Sequence, residues 1–170
     1  MAEEIWMLQT KRADFGAIAE HFGIDPVTAR VIRNRGIEGM ENIERYLYGN
    51  LDGLYSPWLL KDMKPAVEIL KQKMAAGKRI RIVGDYDIDG VCSTYILYTA
   101  LRRLGAEADY AIPDRIKDGY GINESIIREA HEDGIDTILT CDNGISAFSQ
   151  ISLAKEFGMT VIVTDHHEVP

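Results

Sequence analysis

The sequence predicts an α/β fold, a doubly wound parallel sheet incomplete at its C-terminal end and preceded by a helical N-terminal region. Two observations carry that prediction. From Lys78 onward, short apolar runs alternate with amphipathic stretches, and strand starts recur roughly every 23 to 31 residues, the spacing of consecutive βαβ units. Before Lys78 the pattern is helical, punctuated by capping residues and glycines. The expected division is therefore residues 1–77, helical, and residues 78–170, the α/β domain.

In the first region, Asp25-Pro26 places a capping side chain before a proline at the first helical position. A helix over Pro26–Arg35 follows, with Val27, Val31 and Ile32 on one face, and stops at Gly36. Glu41–Tyr48 forms a second helix, Leu51–Pro57 a loop, and Trp58-Leu59-Leu60 an apolar anchor. A third helix covers Pro65–Ala76 and ends at Gly77. In the second region the strands are Arg79–Val83, Ala106–Ile112, Thr137–Thr140 and Thr160–Thr164. The helices between them are Val91–Leu104, Asn123–Asp133 and Ser146–Phe157, each followed by glycine.

Composition sets outer bounds. The chain has 170 residues, 46% hydrophobic and 27% charged, which fits a soluble globular protein. Met1–Trp6 is acidic where a secretory signal is basic, and no apolar run reaches the roughly 18 residues of a membrane span. Cys92 and Cys141 lie in apolar segments without metal-binding spacing, and read as reduced core thiols of a cytoplasmic protein. Trp6, Trp58 and His21 read as packing or surface residues. A net charge of −8 argues against a broad basic surface for duplex DNA, yet leaves room for a nucleic-acid enzyme whose carboxylates hold cations.

The chemistry concentrates in Gly84-Asp85-Tyr86-Asp87-Ile88-Asp89-Gly90, where a strand runs into acids at every second position. On extended backbone Asp85, Asp87 and Asp89 share one face. Like charges about 4 Å apart repel by about 4 kcal/mol at an effective dielectric of 20, so such a row calls for a divalent cation. An EF-hand is excluded, because Ile96 stands where its bidentate Glu would be. Asp87-Ile88-Asp89-Gly90-Val91 also matches the start of a haloacid-dehalogenase-type phosphatase.

Ligands of open parallel sheets bind beyond the carboxyl ends of the strands. That edge receives the first acids, then Pro113-Asp114-Arg115, Cys141-Asp142-Asn143-Gly144 and Asp165-His166-His167. Carboxylate with imidazole suits Mn²⁺, Fe²⁺ or Zn²⁺ better than Ca²⁺. Such a set can hold two ions, the arrangement of phosphoester hydrolysis, with Asp142 as the bridging carboxylate.

In order along the chain, the three motifs resemble the DHH superfamily of phosphoesterases, named for the triplet Asp165-His166-His167. The flanking stretches Tyr55–Met63 and Ile112–Gly121 are similar to its single-strand-specific exonuclease branch, and the likeness spans about residues 27–170. The phosphatase alternative explains neither histidine. The resemblance implies a Mn²⁺- or Mg²⁺-dependent 5′-to-3′ exonuclease acting on single-stranded DNA in repair and recombination. It further implies two ions, no membrane, and single-strand-binding or helicase partners of the parent protein. By the same resemblance, Asp85, Asp87, Asp89, Asp142 and His166 form the metal shell, His167 sits beside the scissile phosphate, and Asp165 orients. Arg115 and Lys117 grip phosphate, Tyr120 stacks on a base, and Gly90 opens backbone N–H groups to phosphate. Two alternatives stay open: a DHH hydrolase of small substrates (cyclic dinucleotide, short oligonucleotide or pyrophosphate), or a non-catalytic DHH-like scaffold. The family pattern continues past Pro170, so the chain reads as a fragment expected to bind metal weakly and hydrolyse little.

Overall fold

The computed structural model describes residues 11–170; the acidic Met1–Trp6 stretch, with Trp6, lies outside them. The chain divides between Leu59 and Leu60 into two compact units.

The first unit holds α1 (Phe15–Phe22), α2 (Pro26–Asn34) and α3 (Met40–Tyr48). Asp25 caps α2 by accepting from the Val27 and Thr28 N–H groups at 2.9 and 3.0 Å. A small core of Ile18, Ala29, Ile32 and Ile43 joins the helices. The inward face of α2 is thus Ala29 and Ile32, while the expected Val27 and Val31 stripe faces solvent. Helix α1 was not expected, since its two turns are too short, with only Glu20 and His21 to mark the polar side, for a helical period to stand out. Trp58, Leu59 and Leu60 do not anchor anything: all are exposed, because the 3₁₀ turn at Pro57–Leu59 presents no face to a core.

The second unit begins with α4 (Met63–Ala75) and continues as β1 (Ile80–Val83), α5 (Ile88–Arg103), β2 (Ala108–Ala111), α6 (Glu124–Glu132), β3 (Thr137–Cys141), α7 (Phe148–Glu156) and β4 (Thr160–Thr164). The strands form one sheet in the order β2-β1-β3-β4, every pair parallel. The expected doubly wound parallel sheet is the one found. Ile80, Ile82, Leu139 and Cys141 point to one face, where Leu101 of α5 and Ala66, Ile69 and Leu70 of α4 cover them. Val83 and Ile138 point to the other, under Ile127 and Ala130 of α6 and Ala154 of α7. Helix α4 therefore packs with the sheet.

Cys92 is exposed on α5 rather than buried: the face of that helix turned to the sheet carries Thr94, Leu97 and Leu101. Cys141 is buried as expected.

Arg81 lies inside β1 at 8% exposure. Its guanidinium donates to both carboxylate oxygens of Asp109 on β2, at 2.9 and 2.8 Å, and to Asp133 at the end of α6, at 2.8 Å. Those hydrogen bonds hold its pKa above the ordinary value despite partial burial. The buried charge is tolerable only because it is forked onto two acids. Asp109→Ala is expected to lower the unfolding free energy by about 2 kcal/mol in urea melts, whereas a surface control such as Glu68→Ala changes it by under about 0.5 kcal/mol.

Asp136, just before β3, accepts from Lys73 of α4 at 2.6 Å. Burial pushes its carboxyl up, but the bonds from Lys73 and Thr137 outweigh it, leaving a pKa below the ordinary 3.8. A depressed carboxyl contributes stability that is complete above the unfolded pKa and disappears as pH falls through the folded one. Asp136→Asn is therefore expected to cost about 1 kcal/mol at pH 7. Below about pH 3.8 the difference from the parent chain should begin to shrink, and it should vanish only once pH has fallen through the lower folded pKa, as acid titration of the melting temperature would read.

Candidate metal centre

The strand order reverses direction between β1 and β3, so their C-terminal ends flank the crevice where open α/β sheets bind ligands. Asp85 enters that crevice from β1, Asp142 from β3, and Asp165 from β4.

Asp85 is 1% exposed. Its Oδ1 accepts the Gly121 N–H at 3.2 Å, and its Oδ2 is buried without any hydrogen-bond partner. A carboxylate oxygen in that position is normally paired, and its freedom suits a cation.

Asp87 is the N-cap of α5, its Oδ1 accepting from Asp89 N–H at 3.0 Å and Gly90 N–H at 2.9 Å. These bonds, led by Gly90, hold its pKa low. The row of Asp85, Asp87 and Asp89 on extended backbone is not formed. Helix α5 starts at Ile88, ahead of the expected Val91, because Asp87 caps it, and Asp89 falls in its exposed first turn. Gly90 is needed for close approach, since a Cβ there would lie 2.4 Å from the Asp85 carbonyl oxygen. Its N–H is already given to Asp87.

Asp142 opens the turn after β3 with φ +62°, the left-handed region that non-glycine residues seldom adopt. Its Oδ1 lies 2.8 Å from His166 Nε2. Burial raises its pKa, His166 opposes, and the neighbouring Asp87 charge raises it further. Among the described residues, Asp142, His166 and His167 each offer one ligand atom, all within 4.8 Å of one another.

Asp165 holds the two histidines in place. Its Oδ1 accepts from the His166 N–H at 2.8 Å, the His167 N–H at 3.1 Å and the His167 ring Nδ1 at 2.7 Å. Its Oδ2 accepts the Ile145 N–H at 2.9 Å. Burial would raise this carboxyl, but Ile145 N–H and the His167 ring and backbone outweigh it and leave it low. The same contact raises His167 above its usual 6.5.

Sequence reasoning missed Asn143. It is 1% exposed and donates through Nδ2 to Val83 O at 3.0 Å and Cys141 O at 2.9 Å, tying the ends of β1 and β3 together. Its Oδ1 accepts from Ile122 N–H at 3.1 Å. Cys141-Asp142-Asn143-Gly144 draws attention to Asp142 as a ligand, and nothing in its pattern distinguishes a structural amide at Asn143 from a solvated one. Asp114 belongs to no ligand cluster: its Oδ1 accepts the Ile116 and Lys117 N–H groups at 2.9 and 3.0 Å, closing its own loop. In that loop Arg115 lies over the Tyr86 ring, 5.4 Å from its centroid, and Lys117 is exposed. Tyr120 hydroxyl donates to the Asp142 carbonyl at 3.0 Å.

A parallel sheet whose C-terminal crevice gathers these acids and histidines defines a class, and residues 79–170 match the model of the DHH family, N-terminal domain. The chain belongs to the DHH family. Among curated proteins it is 39% identical over 164 residues to the single-stranded-DNA-specific exonuclease RecJ of Bacillus subtilis (strain 168), covering 96% of this chain and 21% of that protein. It is 40% identical over 146 residues to the Escherichia coli (strain K12) RecJ, covering 85% of this chain and 24% of that one. Among solved structures, an exonuclease RecJ bound to manganese matches with a TM-score of 0.64 and 38% identity, over 69% of this chain and 30% of the other. The chain thus spans about a fifth to a quarter of the curated relatives it matches.

Gly121 has φ +69°, and a Cβ there would lie 3.2 Å from the Asn143 side chain. Gly121→Ala is expected to destabilise the chain by about 1–2 kcal/mol in urea melts, from left-handed strain alone.

Proposed function

We propose that this chain forms the metal-holding part of a Mn²⁺- or Mg²⁺-dependent 5′-to-3′ exonuclease for single-stranded DNA, at work in cytoplasmic repair and recombination. The observation that carries this reading is the meeting of Asp142, His166 and His167 at the sheet edge to which β1 also delivers buried Asp85, whose Oδ2 has no partner among the described residues. Hard carboxylate oxygens mixed with imidazole fit manganese or magnesium. Asp85, Asp87, Asp89, Asp142 and His166 would hold the ions, with Asp142 between them. When bound, two dications supply an activated water and neutralise charge on the phosphate.

The side chains supply the rest. Asp165 holds His167 through Nδ1, and its Nε2 lies 3.1 Å from the Tyr120 hydroxyl. Arg115 and Lys117, exposed on the loop after β2, would take phosphate oxygens, and the half-exposed Tyr120 ring would meet a base. Gly90, at the start of α5, has its N–H on Asp87 and its Cα against the Asp85 carbonyl, so it offers a phosphate no free donor. Single-strand-binding or helicase proteins are the proposed further partners. Among the described residues no helix is long and apolar enough to cross a membrane.

Manganese titration by calorimetry tests the centre. The chain is expected to bind manganese, and Asp142→Ala to weaken binding at least about tenfold. Unchanged binding would remove Asp142 from the centre. Any residual hydrolysis that manganese supports in this chain should be slow and should favour 5′-labelled single strands over cyclic dinucleotides or pyrophosphate; the opposite order would favour a small-substrate hydrolase.

A further inference from the structure

Tyr120, Gly121 and Ile122 are consecutive in the loop between β2 and α6, and each bonds a different part of the centre. The Gly121 N–H goes to Asp85 Oδ1 at 3.2 Å, and the Ile122 N–H to Asn143 Oδ1 at 3.1 Å. The Tyr120 hydroxyl lies 3.0 Å from the Asp142 carbonyl oxygen and 3.1 Å from His167 Nε2. The loop therefore ties together the turns after β1, β3 and β4.

We propose that Tyr120 is a positioning residue of this centre, its hydroxyl fixing the Asp142 turn and the His167 ring together. The proposal rests on reading the centre as a metal site. A phenol has one proton, and a carbonyl oxygen can only accept, so that proton goes to Asp142. Asp142 sits at φ +62°, in the left-handed region, and the Tyr120 bond helps hold it there. With that proton committed, the hydroxyl has none to give His167, and its contact with the ring is one of packing. Asp165 Oδ1 already fixes that ring through Nδ1 at 2.7 Å, and the hydroxyl oxygen lies against it, 3.3 Å from Nδ1 and 3.1 Å from Nε2. The Tyr120 ring is itself seated edge-to-face, its centroid 6.3 Å from Tyr86 and 5.7 Å from His167.

A positioning hydroxyl and a base-stacking ring make different demands, and Tyr120→Phe separates them because it removes the hydroxyl and keeps the ring. In the metal-free 170-residue chain, Tyr120→Phe is expected to shift the His167 ring resonances in NMR spectra. The rings of His21 and His131 should stay put, and the melting temperature should change by no more than about 3 °C. Manganese affinity by calorimetry should fall about tenfold in the same variant. Tyr120→Ala should bring the same losses. The proposal is overturned if Tyr120→Phe leaves the His167 resonances unchanged, or if only Tyr120→Ala weakens binding of a thymidine oligonucleotide. Unfolding of Tyr120→Phe would also overturn it, making the hydroxyl a strut of the fold. A parent chain that takes up no manganese would refute the metal reading. In that event the metal-free His167 signature alone decides, a shift supporting the proposal and its absence sinking it.

Discussion

Carboxylates crowded at the ends of two buried parallel strands repel one another, and the rest of this unit is arranged around containing that repulsion. Backbone N–H groups do most of it. Gly121 serves Asp85, Asp89 and Gly90 serve Asp87, and Ile145, His166 and His167 serve Asp165. Asp87 and Asp165 are thereby held in their charged form by dipoles that need no counterion. Asp142 is the exception. Its own partner is an imidazole, and burial with the Asp87 charge pushes its carboxyl upward. It is also the acid for which a cation would relieve the most.

The same strand carries opposite charge at its two ends. Within β1, Arg81 is sunk near its start and forked onto Asp109 and Asp133; just past its end, Asp85 is sunk with one oxygen unpaired. The guanidinium is fully answered by neighbouring secondary structure and so fixes β2 and α6 against β1. The carboxylate is answered on one side only. A buried polar group satisfied on all sides belongs to the fold, and one left open points to a ligand.

The fold was legible because apolar strands and glycine-terminated helices repeat at the βαβ spacing, and parallel pairing then fixes which edge collects the strand-end residues. The motif acids were legible for the same reason. What escaped were features set by a partner distant in sequence. Arg81 reads as an interruption of an apolar strand until Asp109 and Asp133 are seen beside it. The start of α5 escaped because Asp87 is both a candidate ligand and a helix cap, and its backbone bonds to Asp89 and Gly90 decide for the helix. Cys92 and Asp114 were misplaced by local context, since an apolar neighbourhood does not say which helix face is covered and a strand-end acid can simply close its own loop.

Asn143 and the Tyr120–Ile122 loop show why a metal-binding motif cannot be understood from its ligands alone. The acids and histidines come from three strand ends that no backbone ladder joins beyond the last residues of the sheet. Asn143 crosses from β3 to the Val83 carbonyl and receives Ile122, so one buried amide sets the spacing of Asp85 and Asp142. The loop then reaches Asp85 through Gly121, whose positive φ turns its N–H inward and whose missing Cβ leaves room for Asn143. Neighbouring residues of one loop thus give three different strand-end turns a common frame, and the carboxylates are held at a fixed separation before any cation arrives. That pre-organisation lets the repulsion among them be met by folding, so a cation bound there would relieve repulsion already held in the site.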